Sequence, residues 1–191
     1  VVRATKAFDG PALEGIHGQL FTLLPKATVL REVLMPVWHD LASGKAPGQR
    51  SQWVFLDTFL RARLLLRLQV NQVDAPQVLL AGSEGQAELS VLCAGLLLSS
   101  ELQRIDVLGC GQPLEELPIV CAAMQPAALV IKVKAPVSPT LAKRLRSLQM
   151  EIACPLALIG EGLADSQPAL SGIPLCLLDE GGADAARMLN A

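Results

Sequence analysis

The sequence predicts an α/β chain in which a cap of four helices precedes a five-stranded parallel sheet. Three observations predict it. Residues 1–70 carry apolar side chains at helical spacing; from residue 77 onward short continuous runs of Val, Ile and Leu alternate with helical stretches; and glycines cluster where those runs end. Continuous apolar runs, unlike alternating ones, suit strands of a parallel sheet covered on both faces.

Taken in order, Val2, Ala4, Ala7 and Phe8 predict a short first helix stopped by Asp9-Gly10-Pro11, with Pro11 as the first residue of the next. Leu13, Ile16, Leu20 and Leu24 carry that second helix as far as Pro25. Val29, Leu30, Val33, Leu34, Val37, Trp38 and Leu41 make the third, kinked at Pro36 and ended by Ser43-Gly44. The fourth, Ser51 to Gln69, sets Trp53, Leu56, Phe59, Leu60, Leu64 and Leu68 on one broad face, with Arg61, Arg63 and Arg67 elsewhere as a basic edge for self-association or domain contact. Four such helices are a small bundle. The polar stretch 71–76 (NQVDAP) is the expected linker to a second domain spanning 77–191.

In that domain the stretch from Gln77 to Gln112 reads as strand, turn, helix, strand and turn, a βαβ unit with a right-handed crossover. Strands are expected near 77–82, 104–108, 127–133, 155–159 and 174–178, and helices at 86–99, 113–124, 138–149, weakly at 163–170, and at 181–190. This alternation is that of a doubly wound, flavodoxin-like (Rossmann-type) domain. Ligands of such sheets sit beyond the carboxyl ends of the strands, and there the sequence places Gly82 and Gly85, Gly109 and Gly111, Gly160 and Gly162, and Gly181-Gly182. Lys132 and Lys134, at the end of the third strand, are candidate partners for an anionic group. Trp38 with its neighbour His39, and Trp53 with Phe55 and Phe59, are either bundle core or the wall of a chamber for a flat ligand.

At 191 residues, 51% hydrophobic and a net charge of −2, the chain can bury a sizeable core and offers no electrostatic footprint for DNA. The cysteines, five and scattered without a C-x-x-C pair, suggest neither disulfides nor a thiolate metal site, and a reducing cytoplasm is expected. No run is long enough to span a membrane, and no leader opens the chain. No G-x-S-x-G occurs, and both histidines, His17 and His39, fall in the cap, so no nucleophile of the sheet has an evident base and no catalytic residue is expected. The thiol of the Gly109-Cys110-Gly111 turn is a redox candidate, without the basic neighbour that would activate it. Lys132 stands where a phosphorylatable receiver would need its aspartate, which excludes that class.

FLRARLLLRL at the end of the cap, Leu108-Gly109, Pro113-Leu114-Glu115-Glu116-Leu117 and Gln125-Pro126-Ala127-Ala128-Leu129-Val130 together resemble the cobalamin-binding sensor half of light- and cobalamin-responsive MerR-type transcription regulators. The resemblance covers essentially the whole chain. It implies a cytoplasmic, non-enzymatic, homo-oligomeric sensor behind an N-terminal winged helix-turn-helix through which alone DNA is read, responding to a small-molecule or protein effector. The chain begins with Val rather than Met, as a piece lacking that helix-turn-helix would.

The family's cobalt-binding loop, D-x-H-x-x-G, is matched by Glu84-Gly85-Gln86-Ala87-Glu88-Leu89. Gln86 replaces the histidine, and an amide is a poor cobalt ligand. Leu89 replaces the glycine that lets the loop wrap the cofactor's nucleotide tail; Lys132-Val133-Lys134 replaces the hydroxyl residues of the tail pocket; only Gly160-Glu161-Gly162 approximates the family's Gly-Gly turn. In the cap, Gln52-Trp53 stands in place of the family's Glu-His. Cobalamin is thus expected not to be held through a histidine, and no metal ligand is assigned. The alternative is a corrinoid-binding module of a cobalamin-dependent methyltransferase or mutase, which shares cap and fold and calls on the same histidine unless the cofactor binds base-on.

Overall fold

The computed structural model describes residues 1–70, 74–100 and 103–178. The chain forms two compact units, Val1–Leu66 and the residues from Arg67 onward.

The first unit is helical. Helix α1 (Val2–Lys6) is followed by α2 (Gly10–Leu23), whose N-terminus is capped by the carboxylate of Asp9 accepting the Ala12 N–H at 2.9 Å. Gly10 rather than Pro11 opens that helix, with the proline in its first turn. The third helix departs from expectation. It begins early, at α3 (Lys26–Thr28), and passes through a π-helical stretch, Val29–Leu34, into α4 (Met35–Ser43). The expected kink at Pro36 is therefore a change of winding before it. Pro36 has no N–H to give and its ring crowds the preceding turn, so the turn widens and the Met35 N–H reaches back five residues to the Leu30 carbonyl. Helix α5 (Gln49–Val70) is the longest element. Leu56, Leu60, Leu64 and Leu68 recur every fourth residue along it and are all buried.

Two arginines of the basic edge expected on α5 have acidic partners. Arg61 donates to Asp57 at 2.9 Å one turn earlier, and Arg63 is paired with Glu14 of α2, so these two arginines are neutralised within their own unit.

The second unit is one parallel sheet of β1 (Gln77–Gly82), β2 (Arg104–Cys110), β3 (Ala128–Lys132), β4 (Leu156–Ile159) and β5 (Cys176–Leu178), in the order β2-β1-β3-β4-β5. Helices cover both faces. Helix α6 (Glu88–Leu98) lies over β1 and β2 so closely that a methyl on Gly95 would meet Leu80 and Val107 at 3.2–3.3 Å. Helices α7 (Leu117–Met124) and α8 (Pro139–Glu151) bury Leu117, Cys121, Leu145 and Leu148 against Leu79, Ala81, Leu129, Ile131, Leu156 and Leu158. The central strands are buried from end to end, which is why they read as unbroken apolar runs, whereas edge strand β2 is only half-buried and carries Arg104 and Asp106.

Three boundaries move. β2 runs on to Cys110 because Leu108 bulges out of register between the pairs Leu80–Val107 and Ala81–Gly109, so Gly109 and Cys110 belong to the strand rather than to a turn after it. α7 starts at Leu117, not 113, since Pro113–Glu116 form a turn ahead of Pro118 in the first helical turn. The weak helix at 163–170 is a 3-10 turn, Leu163–Ser166, running into the one-turn α9 (Gln167–Leu170). The helix expected at 181–190 and the Gly181-Gly182 turn lie outside the described residues, as do residues 71–73 of the expected linker. No described helix is long and apolar enough to cross a membrane.

Candidate functional site

In this strand order the chain leaves β1 for one side of the sheet and returns to the other, so the loops after β1 and β3 diverge and open a crevice at the carboxyl edge between them. The residues there are those the sequence singles out. Gly82 ends β1 opposite Lys132, the last residue of β3, and the Ser83 N–H extends the ladder by donating to the Lys132 carbonyl at 2.9 Å. Gly82 is required: a Cβ would lie 2.7 Å from both the Cys110 sulfur and a Val91 methyl. A turn follows, closed by the Gln86 N–H on the Ser83 carbonyl at 3.2 Å, with Gly85 at φ +80°. Glu84 is exposed and Gln86 half-buried on this turn.

Along the same edge, Gly111 follows β2, Lys134 stands exposed just past β3, and Gly160 and Gly162 follow β4. Lys132 departs from a surface lysine: it is 7% exposed. A lysine so enclosed needs polar company. Ser83, also buried, was not a candidate from sequence; its position directly after the strand's last glycine is the signal that marks it.

The cap candidates gather in the first unit. Trp38 is buried, its ring 5.6 Å from that of Trp53 and 5.0 Å from that of exposed His39. The Trp38 indole N–H donates to Asp57 at 2.9 Å, and Asp57 also holds Arg61, so this acid, unmarked in the sequence, anchors the cluster. The guanidinium of Arg50 lies 4.3 Å over the Trp53 ring, and the Trp53 indole N–H is buried with no acceptor among the described residues. Phe55 packs edge-on against Phe8 at 5.4 Å, and Phe59 against His17 at 5.9 Å. His17 is buried beside Phe21 and Phe59, as a packed core residue of the bundle.

Three of the thiols, Cys110, Cys121 and Cys154, are held neutral. Burial, then the carboxylate of Glu88, pushes Cys110 up; burial raises Cys154; and burial with Cys154 alongside pushes Cys121 up to about 12. The thiolate is the nucleophile, so these sulfurs should react with a thiol reagent at neutral pH at least about tenfold more slowly in the native protein than in the urea-unfolded chain. The sign for stability follows. An acid whose folded pKa is raised favours the fold in its neutral form, so stability is intact below the ordinary thiol value and declines as pH climbs from about 9 towards 12, a fall readable in the urea midpoint.

A cobalt held from below by the protein needs an imidazole on the β1–α6 loop. That loop offers the Gln86 amide and the carboxylates of Glu84 and Glu88, and at the loop's far end Leu89 is 1% exposed, a core residue of α6 rather than an opening. Among the described residues no three His, Cys, Asp or Glu side chains gather as a metal site. These residues do not fit a histidine-ligated corrinoid.

The chain matches no family model and no curated protein. Among solved structures, it superposes on the monomethylamine corrinoid protein of Methanosarcina barkeri with a TM-score of 0.62 at 15% identity, over 97% of this chain and 92% of that one. The fold is thus that of a corrinoid protein. The methanol:cobalamin methyltransferase complex of Methanosarcina barkeri (TM-score 0.49, 16% identity, 97% of this chain and 74% of that one) and a cobalamin-binding protein of Desulfitobacterium hafniense (0.41, 11%, 98% and 93%) are similar too loosely to bear on the argument.

Proposed function

We propose that the chain is a non-enzymatic binding module built on the corrinoid-protein fold, serving as the effector-sensing half of a transcription regulator of the kind its residues resemble. The carrying observation is Gln86 at the position of the cobalt ligand, with both histidines of the chain in the helical unit. A carrier of methyl-cobalt chemistry needs that ligand to tune the metal, whereas a sensor needs only a crevice whose filling favours one arrangement of the chain over another. The crevice beyond the carboxyl ends of β1 and β3 supplies it, and the ligand is an effector other than histidine-bound cobalamin.

The second reading is the corrinoid-binding module of a methyltransferase or mutase, and the likeness to the monomethylamine corrinoid protein favours it, since it extends over 97% of the chain. In that case the cofactor binds base-on.

One experiment separates the two. The protein is mixed in the dark with adenosylcobalamin or methylcobalamin, passed through a desalting column, and its absorbance recorded. No corrin colour is expected to travel with it, and Gln86→His alone is expected not to restore any, since Leu89 still fills the loop's far end. Stoichiometric colour on the unaltered chain would reverse the order of the two readings.

A further inference from the structure

Cys121 and Cys154 are distant in the chain and meet at the amino ends of β3 and β4, the edge of the sheet opposite the crevice. Cys121 faces inward from α7 and is buried; Cys154 stands two residues ahead of β4 and is half-buried. The ladder brings them together. Leu129 pairs with Leu156, and the Leu129 N–H donates to the Pro155 carbonyl at 2.9 Å, so the chain entering β4 runs beside the start of β3, into which α7 leads. Both sulfurs pack in the apolar core beneath α7 and α8, where the Cys121 thiol donates a hydrogen bond to the Cys154 sulfur.

From this contact we infer that Cys121 and Cys154 form a modification site, a dithiol that a small disulfide of the glutathione type converts into a disulfide within the chain. The Cys154 thiolate attacks one sulfur of the small disulfide and displaces the other half as a thiol, leaving a mixed disulfide. The Cys121 sulfur then attacks the Cys154 sulfur, passes its proton to the second half and displaces it. The protein loses two hydrogens and two electrons, and one small disulfide becomes two thiols. The order follows from the surroundings. Burial raises both thiols, while the bond between them raises Cys121 and lowers Cys154, so Cys154 is the first to ionise and, being half-buried, the one a reagent reaches. The second step is internal and needs no access to Cys121. Formation is therefore slow at neutral pH and quickens towards the ordinary thiol range, while the product, uncharged and suited to an apolar core, is hard to reduce because thiols held neutral are poor leaving groups. The bond closes the loop from 121 to 154, which holds β3 and α8, and constrains the unfolded chain. The site lies apart from the crevice and stands whether or not an effector binds there.

The test uses the unaltered protein, incubated with oxidised glutathione near the ordinary thiol pKa. A protease that cuts after glutamate places each of the five cysteines on its own peptide, Cys121 on 117–151 and Cys154 on 152–161. Without reductant these two peptides should travel as one, freed of glutathione, and reduction should separate them. The urea midpoint of the linked protein should rise by about 1 M or more. In Cys121→Ser the reaction should halt with one glutathione on 152–161, and in Cys154→Ser peptide 117–151 should take up none; circular dichroism verifies that each variant folds. No linkage in the unaltered protein, a linkage to any other cysteine, glutathione lasting on Cys154 of the unaltered protein, or a linked protein whose urea midpoint has not risen would each overturn the inference.

Discussion

Gly160→Ala should cost about 3 kcal/mol of stability and, for a chain of this size, lower the melting temperature by roughly 10 °C. Gly160 follows β4 directly, where the Val133 N–H still donates to the Ile159 carbonyl at 3.0 Å and keeps the β3 and β4 backbones in contact past the named strands. A methyl there would lie less than 3.0 Å from the Val133 carbonyl oxygen and 3.4 Å from its carbon. Backbone cannot swing aside as a side chain can, so the added carbon has to separate the ends of β3 and β4. Gly15→Ala is the contrast. That glycine lies on exposed α2 with nothing within 4 Å of the added carbon, and the substitution should stabilise by roughly 0.5–1 kcal/mol through helix propensity. Thermal melts of the two variants therefore move in opposite directions. A Gly160→Ala melt within a degree or two of the unaltered protein would mean that the strand ends are not in contact as described.

That contrast also marks what the sequence can and cannot express. The sheet was legible because its central strands are enclosed on both faces and so must be apolar throughout: Val78 to Ala81 and Ala128 to Ile131 admit no other reading at that length. Glycine runs likewise located the carboxyl edge. The bulge at Leu108 was not legible, because it is settled by register against β1, a relation between residues some thirty apart. Nor was the π-helical Val29–Leu34, where an i+5 turn and an i+4 turn call for the same residues and only the fit ahead of Pro36 decides. Charged residues mislead in both directions. Lys132 reads only as a candidate partner for an anion and is buried at the end of a central strand, while Arg61 and Arg63 read as a basic edge and are held by Asp57 and Glu14, partners that spacing suggests for the first and only folding for the second. Of the candidate site, the loop residues from Gly82 to Gln86 could be placed from the chain alone, Ser83 among them only by its position after the strand's last glycine; Asp57, which acts through hydrogen bonds to Trp38 and Arg61, could not be singled out.

Leu89→Ala should cost about 3 kcal/mol, and this loss separates a loop anchored by its own core contact from one left loose at the surface. Leu89 stands in the first turn of α6, 1% exposed and among the largest fully buried side chains, on a helix whose Val91, Leu92, Cys93, Ala94, Leu96 and Leu98 are buried as well. A helix enclosed on every side has little freedom to collapse into a cavity, so removing three carbons forfeits both the transfer energy and the packing of the surrounding side chains. At the corresponding place the family pattern that the chain resembles has a glycine, which could contribute none of this. Had the position merely drifted, its side chain would lie at the surface and truncation would leave the urea midpoint where it was. A large loss instead means that the amino end of α6 is now anchored by its own hydrophobic contact, and that the loop from Gly82 to Glu88 is positioned by the fold rather than by a cofactor. In that state Gln86 is presented at the carboxyl edge of the sheet whether or not a ligand is there.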